Sequence, residues 1–394
     1  MQHKFQDLPF LDTSLIDIYT HAQKVGALIR QAILPLDSVE EQCQLALKLL
    51  NEHDLLQYSV APLSAATANP ITAGLQVRAL CLVRQALAEH HAIADFSFAM
   101  QGLGSIPIAL YGNAAQKKQY LEPTRTGDKI AAFALSEAES GSDAAALNCL
   151  ATPTDGGFVL NGEKMWISNG NIADYYCVFA RTDPDKGAKG ISAFIVDAAS
   201  AGLDRSQTID VLSPHPLSYL KFKDTFVPMQ QCLGPLGEGF KIAMSTLDVF
   251  RCSVAGAALG FATSALNTAI QYAQNRPMFG RHLVDFQITQ ATIGELALKL
   301  DEALLLTYRA AWLMDVKHKK TTLETAMAKY SATENAQEII DRSLQMLGGR
   351  GLIRDSTLES LYRDIRALRI YEGASEVQKL IIARQVLRAQ AADT

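Results

Sequence analysis

A chain of 394 residues, 48% hydrophobic and 20% charged, is long enough to bury a large core and to divide into two or three domains. The composition is that of a soluble globular protein, and a net charge of −5 implies no general affinity for nucleic acid. The six cysteines (Cys43, Cys81, Cys149, Cys177, Cys232 and Cys252) are scattered without a C-x-x-C pair. That argues against a zinc site or a disulfide framework and fits a reducing compartment, so no metal is expected. The first twenty residues carry one lysine, Lys4, and three aspartates, Asp7, Asp12 and Asp17. They read as neither a signal peptide nor an arginine-rich transit peptide, and the expected location is cytoplasmic.

The first ~120 residues show helical periodicity. VEEQCQLALKLLNEHDLL is amphipathic, and VRALCLVRQALAEHHAIADFSFAMQ reads as one more deeply buried helix, with the loop SVAPLSAATANPITAG between them. His90 and His91 are adjacent, point to different helix sides and make a poor metal pair. From about Lys129 to Pro228 the texture changes to strands: IAAFALS, GFVLNGEKMWISNG, YYCVFART, GISAFIVD and the alternating LKFKD. This predicts a compact β segment, barrel or sandwich. After LGPLGEGFK the helical period returns and persists. Cys252 to Asn275 has no charge and is long enough to span a bilayer, but Ser253, Thr263, Ser264, Asn267, Thr268, Gln271 and Gln274 make it too polar; a buried helix and no membrane are expected. Gly256 and Gly260 would let a neighbouring helix approach closely. Ile293, Leu296, Leu300 and Leu304 line one face of a long helix, and TAMAKYSATENAQEIIDRSLQML forms another, closed by Gly348 and Gly349. Long helices with short links imply an antiparallel bundle.

No G-x-G-x-x-G after a strand, Walker loop, H-E-x-x-H or G-x-S-x-G is present, which argues against a nicotinamide-dependent Rossmann enzyme. Five stretches carry candidate chemistry. FALSEAESGSD, 133–143, offers a Gly-Ser-Asp turn with exposed N–H groups and hydroxyls. KMWISNG, 164–170, sets Trp166 near Ser168 on a strand, able to stack on an aromatic cofactor, although such a tryptophan is more often core. LDVFR ends in Arg251; RPMFGRHLVDFQ spans 276–287; QMLGGRG, 345–351, is a glycine-rich helix end suited to a phosphate. Then IYEGASEVQ places Glu372 between Tyr371 and Gly373, just before a helix that Ser375 would cap and whose Val377, Leu380, Ile381 and Arg384 repeat at helical spacing.

In this order and at these separations, GEKMWISNG, LGPLGEGFKIAM and YEGASEVQ together resemble the acyl-CoA dehydrogenase family of flavoproteins, from about Gly112 (in YGNAAQKKQYLEP) to the C-terminus. The resemblance implies an α+β fold: an N-terminal helical domain (1–128), a middle β-barrel domain (129–233) and a C-terminal four-helix bundle (234–394). It implies FAD between the last two, with Phe133, Leu135, Ser136, Gly141 and Ser142 bordering the flavin and its pyrophosphate. Trp166 and Ser168 would lie at the flavin ring. Arg276, Phe279, Gln345, Gly348 and Gly349 would reach the FAD of a neighbouring subunit, hence a homodimer or homotetramer. Glu372 matches the family's base, removing the α-proton of an acyl thioester while the β-hydrogen leaves as hydride to the flavin, giving a trans-2-enoyl thioester. Ser142, Asp248, Arg251, Tyr371 and Gly373 are the substrate-side residues, and an electron-transfer flavoprotein is the expected acceptor.

Some relatives place the base just before Arg251; that position is Phe250 here, which cannot act as one. Ala138 and Glu139 stand where proline and glycine are usual, LSPHPLSYL (212–220) replaces a G-x-R-x-S stretch, Ala374 stands for the usual threonine, and Glu376 where glutamine or a neutral residue is commoner. These departures leave open a member acting on acyl chains tethered to an acyl-carrier protein, a same-fold flavin oxidase or monooxygenase, and a non-catalytic scaffold.

Overall fold

A computed structural model of the chain describes residues 8–63 and 69–392. Lys4, Asp7 and the middle of the 59–74 loop, residues 64–68, lie outside them. The chain forms two compact units. One draws on the chain up to Arg30, on Val77–Asp95 and on the chain from Phe250 onward; the other on Gln31–Gln76 and Phe96–Val249.

Among the described residues, five α-helices precede the sheet: α1 (Thr13–Ile33), α2 (Val39–Glu52), α3 (Val77–Ala88), α4 (Ala92–Tyr111) and α5 (Ala114–Arg125). α2 starts where Ser38 Oγ accepts from the Glu41 N–H at 3.3 Å. α5 starts in a capping box between Asn113 and Gln116. The single helix expected over residues 77–101 is two: the chain turns at Glu89–His91, between α3 and α4. His90 Nε2 bonds Gln23 Oε1 at 2.8 Å, and His91 Nδ1 accepts from the Ile93 N–H at 3.2 Å, so both imidazoles are used in fixing that turn.

Eight strands follow: β1 (Ala131–Ala134), β2 (Leu150–Thr154), β3 (Gly157–Ser168), β4 (Tyr175–Arg181), β5 (Ile191–Asp197), β6 (Leu203–Asp204), β7 (Leu217–Pro228) and β8 (Cys232–Leu233). Their order in the sheet is β6-β7-β3-β2-β4-β5-β8, with β1 pairing in parallel with β4. Inward residues of six strands, among them Ala132, Ala151, Leu160, Val178, Phe194 and Phe222, share one core. The alternation read in LKFKD is real at its start: Leu220 and Phe222 are buried, Lys221 and Lys223 exposed. Within the same unit, α4 lies directly on β1. A methyl group at Gly104 would stand 2.7 Å from Ala131 Cβ, and Gln101 ties the start of β1 by accepting from the Ala131 N–H at 2.9 Å.

After the sheet come α6 (Gly239–Asn275), a short hairpin of β9 (Pro277–Met278) and β10 (Arg281–His282), α7 (Gln287–Lys317), α8 (Thr322–Leu347), α9 (Thr357–Leu368) and α10 (Ser375–Ala392). α6 and α4 are long and apolar enough to cross a membrane, and 94% and 89% of their most apolar windows are buried inside the structure. The two glycines of α6 do what their spacing suggested. A Cβ at Gly256 would meet Cys81 O at 2.5 Å, and one at Gly260 would meet Gln85 O at 2.3 Å, so α3 crosses α6 at backbone contact. Asp315 on α7 accepts from the Val77 and Arg78 N–H groups at 2.7 and 2.9 Å, closing the N-terminus of α3 with a carboxylate 237–238 residues away in sequence. α8 ends at Gly348, whose φ of 57° suits glycine.

The apolar repeat of α10 is not a buried stripe within this chain. Leu380 is 55% exposed, Leu387 65%, and the fully buried side chain of its first turns is the polar Gln378.

Candidate active site

Glu372 sits in the turn between α9 and α10, and four side chains from the flanking helices, Glu334, Arg251, Lys329 and Gln378, hold that turn. Glu334 on α8 binds its two ends: it accepts from Arg369 Nε at 2.9 Å and from the Ser375 hydroxyl. Ser375 therefore opens α10 without capping it, because its hydroxyl is spent on Glu334. Arg251 Nε donates to the Glu372 carbonyl at 3.1 Å. Lys329 Nζ and Gln378 Nε2 both donate to the Gly373 carbonyl, each at 2.8 Å. Glu372 has φ +52° and Gly373 φ +94°. A left-handed glutamate is uncommon and costs on the order of 1 kcal/mol or more, so the surrounding bonds over-determine it. A Cβ at position 373 would stand 2.4 Å from Gln378 Nε2, which is why glycine follows.

The Glu372 carboxylate itself is unusual. Both oxygens are buried, and neither has a hydrogen-bond partner. Burial pushes its pKa above the ordinary glutamate value, while the charges of Arg84, Lys329 and Arg251 pull the other way and Asp95 adds to the rise. Arg84 on α3 is fully buried. Its Nε and Nη2 bind Asp95 at 2.7 and 2.8 Å, and its Nη1 donates to Ser253 Oγ at 2.9 Å. Tyr371 is partly exposed, and Phe250, just before Arg251, is fully buried. Asp248 precedes Arg251 by three residues on the continuous α6.

In the other unit, the predicted cofactor residues lie on β1, the loop after it and β3. Pairing of β3 with β7 shifts register between Lys164 and Ile167, and Trp166 in that bulge has φ +63°. The bulge turns the indole outward, 49% exposed, so it is not core. The Met165 N–H donates to Ser136 O at 2.9 Å, joining the bulge to the loop after β1. Lys164, fully buried, donates to Leu135 O at 3.0 Å and to Glu137 at 2.7 Å. Glu137 also accepts from the Asn148 and Cys149 N–H groups, so this acid is a brace for the loop. Phe133 packs on Phe179 with ring centres 5.0 Å apart; Leu135 is buried, Ser136 and Ser168 half-buried, Gly141 and Ser142 exposed beside exposed Ala138 and Glu139. The atypical 212–220 stretch is a loop only as far as Pro216, its last four residues opening β7; in the loop the His215 ring lies 4.7 Å from Phe96 and its Nδ1 bonds Ser213 O at 2.8 Å.

The remaining predicted residues are on the surface of the first unit. Arg276, Gln345, Gly348 and Gly349 are exposed, with open space where a Cβ at either glycine would go, and Phe279 is 84% exposed at φ +50° in the β9–β10 turn. Sequence reasoning missed Arg84, Asp95, Lys329, Glu334 and Gln378. The available signal was charge inside apolar helical runs, as in ALCLVRQALA and TAMAKYSA.

Comparison with known proteins shows the family. Residues 132–225 match the acyl-CoA dehydrogenase middle domain and 237–387 the acyl-CoA dehydrogenase C-terminal domain. The chain is 45% identical over 285 residues to the mitochondrial short-chain specific acyl-CoA dehydrogenase of Mus musculus, covering 72% of this chain and 69% of that one. It is 40% identical over 284 residues to the caffeyl-CoA reductase-Etf complex subunit CarC of Acetobacterium woodii, covering 72% and 75%. Among solved structures, PigA with FAD and proline superposes with a TM-score of 0.86 at 29% identity, over 95% of this chain and 98% of that one. The unpartnered buried glutamate before α10 and the outward tryptophan of β3 thus belong to a chain of the acyl-CoA dehydrogenase family.

Proposed function

We propose that this protein is an FAD-dependent dehydrogenase that converts an acyl-CoA to its trans-2-enoyl thioester, with Glu372 as the base. The observation that carries the reading is the Glu372 carboxylate, buried with neither oxygen bonded. A carboxylate satisfied by the protein would be a poor base. One left bare in a dry site has its proton affinity raised and its lone pairs available to an incoming C–H.

The residues present fit the cofactor. A half-exposed tryptophan held at a strained bulge, next to the Ser136 backbone, offers an aromatic face and polar edge that the protein's own core does not use. Ser168 supplies a hydroxyl on the same strand, and the exposed 141–142 turn is assigned to the phosphates. When bound, FAD supplies the acceptor for the β-hydride. The chain's own work is positional. Glu372 takes the α-proton at its carboxylate; its N–H is assigned to the thioester carbonyl, where enolate-like charge develops. Arg251 fixes the Glu372 carbonyl, and Tyr371, Gly373, Ser142 and Asp248 are assigned to the substrate side.

The exposed residues assigned to FAD, with the exposed leucines of α10, support a homo-oligomer in which a second copy brings Arg276, Phe279, Gln345, Gly348 and Gly349 to the cofactor. Sedimentation of the FAD-bound protein is expected to give a dimer or tetramer; a monomer that retains FAD overturns this. An electron-transfer flavoprotein is the proposed acceptor, consistent with the Etf complex named for the relative CarC.

The test of function is the anaerobic visible spectrum of the purified protein. Bleaching of the flavin band by butyryl-CoA or a longer acyl-CoA is the expected result. A yellow protein bleached only by an acyl-carrier-protein thioester would move the substrate to tethered chains, and a protein that cannot be loaded with FAD would overturn the reading.

A further inference from the structure

The Gly373 carbonyl receives two donors from one buried pocket, and only one of them is charged. Lys329 Nζ comes from the middle of α8 and Gln378 Nε2 from the first turn of α10, both at 2.8 Å, and both side chains are fully buried. A buried ammonium is expensive where a neutral donor would serve the carbonyl equally well. The charge therefore has another recipient, and the bare Glu372 carboxylate is the anion one residue away.

We propose that Lys329 and Gln378 are positioning residues for Glu372: the two donors fix the left-handed turn that aims the carboxylate, and the Lys329 charge favours its ionised form. This rests on Glu372 being the base. The charged groups around Glu372 are Arg84 from α3, Asp95 from α4, Arg251 from α6 and Lys329 from α8. Arg84 is engaged bidentately with Asp95, whose negative charge opposes its effect. Arg251 spends its Nε on the Glu372 backbone. Lys329 has Glu372, Glu334 and Glu376 as its favourable neighbours and Arg251 as an unfavourable one; burial lowers its pKa to about 8, so it is protonated at neutral pH. The geometry divides the labour: Gln378 contributes a bond, Lys329 a bond and a charge.

The test compares K329M, K329Q, K329R and Q378M with the unmodified FAD-loaded protein and E372Q, reading kcat and kcat/KM for butyryl-CoA from pH 5 to 9, with FAD content and thermal midpoint as fold checks. Removing the charge makes Glu372 harder to ionise, so the acid limb of kcat/KM is expected to move up by on the order of one pH unit in K329M and K329Q. K329R keeps the charge and returns the limb toward its original position. Q378M keeps the limb and lowers kcat on the plateau by on the order of tenfold, because a misaimed base loses near-attack geometry. A limb unmoved in folded K329M and K329Q overturns the proposal while E372Q inactivity leaves Glu372 as the base. If E372Q remains active, the base assignment fails and the proposal with it. Should the Lys329 variants not fold, Q378M decides: unchanged kcat overturns the positioning role, and a plateau loss at constant limb supports it.

Discussion

Glu372→Gln is expected to lower kcat/KM for an acyl-CoA substrate by on the order of 10³- to 10⁴-fold, the contribution of a well-placed general base. The amide is nearly isosteric, so FAD content should be unchanged. The pH dependence follows from the raised pKa of the buried carboxyl. The base works only when ionised, so activity of the unmodified protein should fall as pH drops through a limb above the ordinary glutamate range. The sign for stability is opposite. A carboxyl whose folded pKa lies above its unfolded one contributes stability at low pH, and that contribution is lost as pH rises through the folded value. Above the folded value the unmodified protein carries a destabilising buried anion, so E372Q should gain in melting temperature relative to it as pH rises, while being inactive. Stopped-flow anaerobic flavin reduction at pH 7.5 and thermal unfolding as a function of pH check both halves. Activity within tenfold of the unmodified protein would remove Glu372 from its assigned role.

The second large effect is on stability. Arg84→Met is expected to destabilise the protein by about 3–5 kcal/mol, because it leaves Asp95 buried without its bidentate partner and Ser253 without its donor. Denaturant unfolding of the FAD-free protein measures it. Replacing both charges, as R84M with D95L, should recover much of the loss, since a buried pair exchanged for apolar packing is often close to neutral. If R84M alone is as stable as the unmodified protein, water reaches Asp95 and the pair is not the closed unit its burial indicates. Activity separates the two roles: in R84M the cation that acts most strongly on Glu372 is gone, so the acid limb should rise, and the double variant should shift it less because Asp95 leaves too.

Much of this was legible in the sequence where local periodicity and final environment agree. The period-two LKFKD became β7, the period-3.6 runs became α6 to α8, and Gly256 and Gly260 became a backbone contact with α3. The reading failed where a tertiary partner outweighed a local preference. Residues 77–101 read as one helix because nothing in EHHAIAD forbids it, but bonds from Gln23 and within the turn break it at His90 and His91. Ser375 is a good capping residue by type, yet a carboxylate on α8 takes its hydroxyl. The stripe of α10 repeats correctly and is exposed in a single chain, because periodicity says that a face is apolar, not what covers it.

The sequence by itself determined the family, the helical, β, helical layout, and the presence of a glutamate beside a glycine before the last helix. Those are carried by residue type and spacing along the chain. Only the tertiary structure decided that this carboxylate stands buried and unbonded, and that Arg84, Asp95, Arg251 and Lys329 from four different helices set its charge environment. It likewise decided that a bulge turns Trp166 out of the core. The reason is physical: proton affinity and side-chain direction depend on burial and on charges within a few ångströms, and these neighbours are separated by tens to hundreds of residues along the chain.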